Sequence, residues 1–271
     1  MLVVAGSDSS GGAGIARDIE TISSIGVRTC LAVTAVTVQT HEAVRAIHPL
    51  QSSQVAHQMR AALQANEVAA IKIGMLATAR IIAAVVAVLR ENPRIPVVLD
   101  PVLASSSGKP LLKASALSVM KSDLTPLCRL VTPNLIELAL LTGSELAVDD
   151  EDVLRQGMRL LAAGPQALLI KGGHASGPRS TDILLRSNQA PIRFDSPRLA
   201  ASMRGTGCML ASAIAAHLAK ASSLEDSVRE GKRFVFEKLQ ASFERESNSV
   251  ASPPVVPRGT VFSRQGRSDF S

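Results

Sequence analysis

Leu2-Val3-Val4-Ala5-Gly6-Ser7-Asp8-Ser9-Ser10-Gly11-Gly12-Ala13-Gly14 is the stretch that decides the fold class. Its first four residues are apolar at consecutive positions, which predicts a strand covered on both faces. Polar residues and glycines then predict a turn, and the periodic pattern after it predicts a helix over Gly14–Ile25. Ligands of open α/β sheets bind at the carboxyl ends of the strands, so this turn is a candidate binding site. Its glycines lack the G-x-G-x-x-G spacing of a dinucleotide site.

Strand and helix patterns alternate along the rest of the chain, as they do in βαβ units on a mainly parallel sheet. The predicted strands are Leu2–Ala5, Thr29–Val38, Ala69–Ile73, Val97–Asp100, Leu130–Thr132 and Ala167–Lys171. The predicted helices are Gly14–Ile25, Ser52–Ala65, Ala77–Glu91, Ala114–Lys121, Asn134–Leu141, Glu151–Ala163, Gly207–Ala221 and Leu224–Arg245. Two further runs, Thr181–Arg186 and Ala190–Phe194, flank a polar turn and predict a hairpin at the sheet edge. The whole pattern predicts an α/β fold with helices flanking a central, mostly parallel sheet.

Residues 1–246 are predicted to form one domain, because no linker or internal repeat interrupts them. The chain has 271 residues and a hydrophobic content of 46%, which is enough to bury a full core. From about Ser247 onward, serine, proline, arginine and glycine dominate. Residues 247–271 are therefore predicted to be a disordered tail.

Composition excludes several classes of function. No apolar run is long enough to span a bilayer, and the N-terminus lacks the basic region and cleavage site of a signal peptide. Three cysteines without metal-like spacing indicate a reducing compartment, so we expect a cytoplasmic protein with no membrane partner. The net charge is +6, but the chain has no Trp or Tyr and its six Phe all lie in the last third. A platform for stacking nucleic-acid bases is thus absent from most of the chain, and the charge better suits an anionic nucleotide.

Gly205-Thr206-Gly207-Cys208 precedes a predicted helix of small residues. Its two glycines let the backbone approach a ligand closely, and the helix start directs free N–H groups and the positive dipole end at an anion. The alternative is an ordinary glycine-rich turn before a packed helix. Cys208 favours the functional interpretation, because a thiol in the first helical turn has a stabilised thiolate and is a candidate base.

Further polar groups follow predicted strands. Asn134 and Glu137 share a helix face and could hold a hydrated Mg²⁺, although a helix cap is the better interpretation of that pair alone. Lys171 ends a strand before two glycines and is a candidate phosphate contact; the alternative is a lysine that ends a strand in water. Asp100 could orient metal-bound water, or it could simply form a turn with the proline after it.

Six stretches, in this order, carry a family resemblance. They are Ala5-Gly6-Ser7-Asp8-Ser9-Ser10-Gly11-Gly12-Ala13-Gly14-Ile15 with Asp18, Lys72-Ile73-Gly74-Met75-Leu76, Asp100-Pro101-Val102, Thr132-Pro133-Asn134-Leu135-Ile136-Glu137, Lys171-Gly172-Gly173-His174 and Gly205-Thr206-Gly207-Cys208. Together they resemble the hydroxymethylpyrimidine/phosphomethylpyrimidine kinase family of thiamine biosynthesis. The resemblance implies a ribokinase-like three-layer sandwich, a homodimer, and ATP-dependent phosphorylation of 4-amino-5-hydroxymethyl-2-methylpyrimidine and then of its monophosphate.

The resemblance also implies a role for each site residue. The residues at positions that hold the aminopyrimidine are Gly6, Asp18, Gln39, Met75 and Val102. Lys171 would contact the ATP phosphates, and Asn134 and Glu137 would be associated with Mg²⁺, to which the strand-end Asp100 is a further candidate. The phosphoryl-binding loop would consist of Gly205, Thr206, Gly207 and Cys208, with Cys208 at the catalytic-base position.

Three features depart from the family pattern. Arg204 stands where the family commonly has His and is a candidate contact to nucleotide phosphate. Thr40-His41-Glu42-Ala43 replaces the usual Asn and Gly positions after Gln39, so the substrate-side loop differs. The usual Gly-rich C-terminal end is missing. Two alternatives stay open: a pyridoxal-type vitamin kinase, which shares fold and motifs, and a catalytically silent pyrimidine-binding regulatory protein.

Overall fold

One sheet organises the computed structural model, which describes residues 1–105, 108–172, 177–199 and 203–250. Within these residues the strands are β1 (Leu2–Asp8), β2 (Cys30–Gln39), β3 (Val44–Pro49), β4 (Ile71–Ile73), β5 (Val97–Leu99), β6 (Leu130–Val131), β7 (Ala167–Ile170), β8 (Arg179–Arg186) and β9 (Ile192–Pro197). Their order across the sheet is β3-β2-β1-β4-β5-β6-β7-β8-β9.

The strands from β2 to β7 in that order are parallel, and antiparallel strands complete both edges. The predicted mostly parallel sheet and the predicted edge hairpin, formed by β8 and β9, are both confirmed. The edge strand β3 was not predicted. Only Val44 is buried in it and it ends at Pro49, so its sequence has neither an apolar run nor a clear alternation. Proline has no N–H to donate to a neighbouring strand, so it occurs mainly in edge strands.

Helices cover both faces of the sheet. They are α1 (Gly14–Ser24), α2 (Ser52–Ala65), α3 (Ala79–Glu91), α4 (Ala114–Val119), α5 (Leu135–Thr142), α6 (Asp150–Leu161), α7 (Thr206–Ala219) and α8 (Leu224–Val250). Successive strand residues point to opposite faces, so Leu2 and Val4 join a core with α2 to α6, whereas Val3 and Ala5 join a core with α1, α7 and α8. The predicted three-layer sandwich is confirmed.

Two predicted helices have different ends. The helix predicted to run from Ala114 to Lys121 stops being α-helical at Val119 and continues as a π-helical turn over Met120–Leu124. A short 3-10 turn over Thr125–Leu127 then leads to β6.

Helix α8 continues to Val250, beyond the domain boundary predicted at residue 246. Residues 251–271 lie outside the described residues, so the tail predicted there stays a prediction. None of the helices in the described part of the chain combines the length and the apolar character that crossing a lipid bilayer requires.

Candidate active site

The candidate site lies at the carboxyl edge of the parallel strands. Asp100 directly follows β5, and the loop after β6 is bridged to the end of β7 between Asn134 and Lys171. The start of α7 lies over the same edge: a Cβ atom added to Gly207 would be 3.3 Å from Lys171 Nζ and 3.6 Å from Asp100 Oδ2. The topology therefore brings together four of the six stretches that the sequence separates.

Lys171 is the positive centre of this site. Its Nζ donates to Asp100 Oδ1 at 2.8 Å and lies 3.8 Å from Glu137 Oε2. Burial alone would lower the pKa of Lys171, but Asp100 and Glu137 hold it above its usual value. Burial would likewise raise the pKa of Asp100, but Lys171 and Lys72 hold it below its usual range. Both groups are therefore charged at neutral pH.

Asn134 and Glu137 form a capping box at the start of α5. Asn134 Oδ1 accepts from the Glu137 N–H at 2.9 Å, and Glu137 Oε2 accepts from the Asn134 N–H at 2.8 Å. The helix-cap interpretation of this pair is thus confirmed. Burial raises the pKa of Glu137 to about 7, and the nearby Asp100 carboxylate adds to that rise. Two buried carboxyl groups therefore lie beside one ammonium group, and a cation bound there would favour the ionised form of Glu137.

The loop of Gly205 to Cys208 packs against the β1–α1 turn. Gly205 has φ +76°, and a Cβ atom there would lie 2.5 Å from the carbonyl oxygen of Gly12. Only glycine fits such a left-handed, closely packed position. Helix α7 then begins at Thr206, so its first free N–H groups lie in this loop.

Cys208 differs from its predicted ionisation. We expected the helix start to stabilise the thiolate, but burial raises the pKa of the Cys208 thiol to about 12. The neighbouring Lys72 and a hydrogen bond from the Gly14 backbone only partly oppose this effect. The thiol is therefore protonated at neutral pH, and it lies close enough to Asp100 to help lower the pKa of that carboxyl group.

Asp18 does not reach the surface of the site. Its side chain is fully buried, and its carboxylate accepts two hydrogen bonds from Lys72 Nζ, at 2.8 and 2.9 Å, and one from Ser212 Oγ at 2.8 Å. This differs from the direct contact with an aminopyrimidine that the resemblance implied. Ser212 lies one helical turn after Cys208 on α7, so the buried pair fixes that helix face to β4 and α1.

Gly6, Met75 and Val102, three of the residues predicted to hold the pyrimidine, lie together. A Cβ atom on Gly6 would be 3.1 Å from Met75 Sδ, and Val102 packs against the apolar cluster that contains Met75. The carbonyl oxygen of Gly6 packs against Gly14, at the start of α1. Gln39 is held by Ser9, whose hydroxyl donates to the Gln39 carbonyl oxygen and accepts from its N–H, both at 2.8 Å.

Arg204 contacts the loops that follow β1 and β2. Its guanidinium forms an ion pair with Asp8 at 3.2 Å and donates to Ser10 and to Thr40. These contacts tie Arg204 to the β1–α1 turn and to the turn between β2 and β3, and its predicted contact to a nucleotide phosphate stays a prediction.

Sequence reasoning missed the structural role of Lys72, although a lysine between Ile71 and Ile73 in a short apolar strand was a signal. A fully buried lysine needs a carboxylate partner, and nothing in the spacing of the chain points to Asp18 as that partner. Gly173 and His174, which complete the motif around Lys171, lie outside the described residues.

The comparisons with known proteins point to one family. The family model described as phosphomethylpyrimidine kinase matches residues 8–252. A hydroxymethylpyrimidine/phosphomethylpyrimidine kinase of Mycobacterium tuberculosis (strain H37Rv) is 44% identical over 245 residues, which cover 90% of this chain and 89% of that relative. The protein of the same description from Escherichia coli K12 is 37% identical over 235 residues, covering 86% and 88% of the two chains.

Solved structures agree with the sequence relatives. The crystal structure of phosphomethylpyrimidine kinase from Clostridium difficile 630 superposes with a TM-score of 0.76 at 35% identity, covering 88% of this chain and 97% of that one. Pyridoxal kinase from Staphylococcus aureus in complex with pyridoxal gives a TM-score of 0.80 at 28% identity, covering 88% and 87%. Since the family model spans most of the chain and the sequence relatives exceed 30% identity at nearly full coverage, this chain belongs to the phosphomethylpyrimidine kinase family.

Proposed function

We propose that this chain transfers the γ-phosphoryl group of ATP to the hydroxymethyl group of 4-amino-5-hydroxymethyl-2-methylpyrimidine, and then phosphorylates the monophosphate. One observation carries the proposal: Lys171, Asp100 and Cys208 converge at the start of α7, at the carboxyl edge of the sheet. Family membership and the names of the sequence relatives support the same reaction.

The residues suit an in-line transfer. Free N–H groups at the start of α7 and the Lys171 ammonium face the same space and would stabilise charge on the equatorial phosphoryl oxygens. As the substrate oxygen bonds to phosphorus and the bond from phosphorus to ADP breaks, the hydroxyl proton passes to the Cys208 sulfur and the thiol proton passes to the neighbouring Asp100 carboxylate. A loose transition state lets this proton leave late, so a protonated resting thiol is compatible with the reaction.

A divalent cation fits the acidic side of this site. The described residues contain no group of three or more His, Cys, Asp or Glu side chains arranged to hold a metal ion. Mg²⁺ needs few protein ligands when it is bound through waters and phosphates, and Asp100 and Glu137 would hold it that way. When bound there, it would neutralise charge on the ATP phosphates. Asn134 would take part only indirectly, since its amide oxygen caps α5.

A substrate panel with mass analysis of the products tests the proposed function. Purified protein, ATP and Mg²⁺ are incubated with the hydroxymethylpyrimidine, and we expect the monophosphate followed by the pyrophosphate. Absence of any phosphorylated pyrimidine would contradict the proposal. Tight pyrimidine binding without phosphoryl transfer would instead indicate the catalytically silent binding protein.

Pyridoxal phosphorylation is the second candidate function. It is favoured by the TM-score of 0.80 to the S. aureus pyridoxal kinase, which exceeds the 0.76 to the C. difficile phosphomethylpyrimidine kinase. The higher sequence identity to the latter, 35% against 28%, favours the pyrimidine. Comparing kcat/KM for the pyrimidine and for pyridoxal decides between them, and we expect the pyrimidine to be preferred.

A homodimer in the cytoplasm completes the proposal. Val36 and Val38 are two residues apart on β2 and share one face, and they are 46% and 47% exposed, which supports an apolar contact with a second copy. Light scattering over a range of concentrations tests this, and a monomer throughout would contradict it. Cys30, Cys128 and Cys208 are free thiols, as suits a reducing compartment that supplies ATP.

A further inference from the structure

Arg204 connects three loops of the site. Its Nη1 donates to Ser10 Oγ at 2.8 Å and to the Thr40 carbonyl oxygen at 3.1 Å, and its Nη2 donates to Asp8 Oδ2 at 3.2 Å. One side chain thus joins the loop before α7 to the β1–α1 turn and to the turn between β2 and β3. We call these four residues the Arg204 clasp.

The ion pair of the clasp is largely buried. The Asp8 side chain is only 4% exposed, and its other oxygen accepts from the backbone N–H and the hydroxyl of Ser10 at 2.8 and 2.7 Å. The Arg204 side chain is 23% exposed, and its guanidinium has partners on two loops. Charge-assisted hydrogen bonds with such partners are stronger than neutral ones and fix geometry.

The clasp is connected to Gln39 through two residues, Thr40 and Ser9. Thr40, which follows Gln39, is held through its carbonyl oxygen by Arg204. Ser9, which holds the Gln39 backbone, lies between Asp8 and Ser10. Among the described residues, the hydrogen bonds of Arg204 go to Asp8, Ser10 and Thr40, which are neighbours of Ser9 and Gln39, and none goes to Lys171.

We propose that the Arg204 clasp positions Gln39 and thereby sets the affinity for the pyrimidine rather than for ATP, an inference that rests on the proposed function. Three of the five N–H donors of Arg204 are already directed at these partners. It is thus a positioning residue for the acceptor substrate.

Matched substitutions test this division. Arg204→Met keeps the length of the stem and removes every donor. It is expected to raise KM for the pyrimidine about tenfold, equivalent to ~1.4 kcal/mol, with KM for ATP changed less than about twofold. Arg17→Met is the control, because Arg17 also lies against Gly205 but pairs with Glu20 on its own helix at 2.6 Å. A rise in KM for ATP with an unchanged KM for the pyrimidine would overturn the inference.

Hydrogen exchange gives a readout that needs no substrate. Amides in residues 38–44 are expected to exchange faster in Arg204→Met than in the wild type, and unchanged exchange there would overturn the clasp. Asp8→Asn keeps the acceptor for Ser10 and removes the charge. Adding it to Arg204→Met should therefore speed amide exchange in residues 38–44 only a little further. If the wild type phosphorylates no pyrimidine, the proposed function fails, while the exchange result still decides whether the clasp exists.

Discussion

Burial raises the pKa of Cys208 to about 12, so in the proposed reaction it passes a proton on to Asp100 and does not act as a resting thiolate. General-base assistance contributes about 10²–10⁴-fold to a rate. Cys208→Ala is therefore expected to lower kcat about 10²-fold for the hydroxymethyl substrate. The monophosphate acceptor is already ionised and needs no base, so its kcat should change little.

Single-turnover rates for each acceptor measure this difference. Cys208→Ser keeps a group that can hydrogen-bond Asp100 and should retain more of the first rate than Cys208→Ala. An equal loss on both acceptors would mean that Cys208 packs the loop instead of moving a proton.

Glu137 makes stability depend on pH. Its pKa is raised from 4.5 to about 7 in the folded protein, so between these values the folded state binds more protons than the unfolded state. Stability from this group therefore falls as pH rises from about 4.5 to 7 and is constant above that range, with a total loss of about 3 kcal/mol. Glu137→Gln keeps the capping box and removes the titration.

Urea unfolding of both proteins at pH 5 and pH 8 tests the prediction. We compare the free energy of unfolding of Glu137→Gln minus that of the wild type. This difference should be about 2–3 kcal/mol larger at pH 8 than at pH 5. A difference that is the same at both pH values would show that Glu137 does not titrate in this range.

Residue roles were predictable from sequence where they depend on local spacing. The capping box of Asn134 and Glu137 follows from residues three apart, and the structure contains it. Asp18 could not be understood in that way, because its partner Lys72 is distant in sequence and meets it only after α1 packs on the sheet. The partners of Arg204, which come from two other loops, were equally beyond the reach of local spacing.

At the scale of elements, β8 and α8 are joined by a buried ion pair. Lys232 Nζ donates to Asp182 Oδ2 at 2.7 Å, and Asp182 Oδ1 accepts from the Gly172 N–H at 2.9 Å. Gly172 follows Lys171, and a Cβ atom on it would lie 1.9 Å from the Thr181 carbonyl oxygen, so no other residue fits there. The pair therefore supports the backbone that presents Lys171.

A double-mutant cycle tests this pair. Lys232→Met leaves a buried carboxylate without its counter-charge and should cost about 3–5 kcal/mol in the free energy of unfolding. Asp182→Asn should cost a similar amount, and the double variant should cost less than the sum of the two. Strict additivity in chemical unfolding would contradict a coupled pair.

Elements with a clear hydrophobic pattern in their own residues were predicted from sequence. Elements whose conformation depends on neighbouring elements were not. The apolar runs of β1 and β7 predict these strands, because strands that are covered on both faces are apolar at consecutive positions. The edge strand β3 is mostly exposed, and its pairing with β2 depends on a turn rather than on its own residues. The π-helical turn after α4 likewise has no local sequence signal.

For the molecule as a whole, one continuous sheet from β3 to β9 carries both halves of the site, and both cores run along it. The family match ends at residue 252, close to the end of α8 at Val250. Residues 251–271 contain Pro253, Pro254 and Pro257 and few groups to bury, so the sequence predicts that they add nothing to the folded domain.

Ending the chain at Val250 tests that prediction. The shortened protein is expected to keep its Tm within about 1 °C, because the apolar cores of the described residues stay intact. It also loses Arg258, Arg264 and Arg267 against one acidic residue, Asp269, so attraction of ATP at low salt should weaken slightly. The value of kcat should stay the same. A fall in Tm of about 4 °C or more, corresponding to at least ~1 kcal/mol, would mean that the segment packs on the domain.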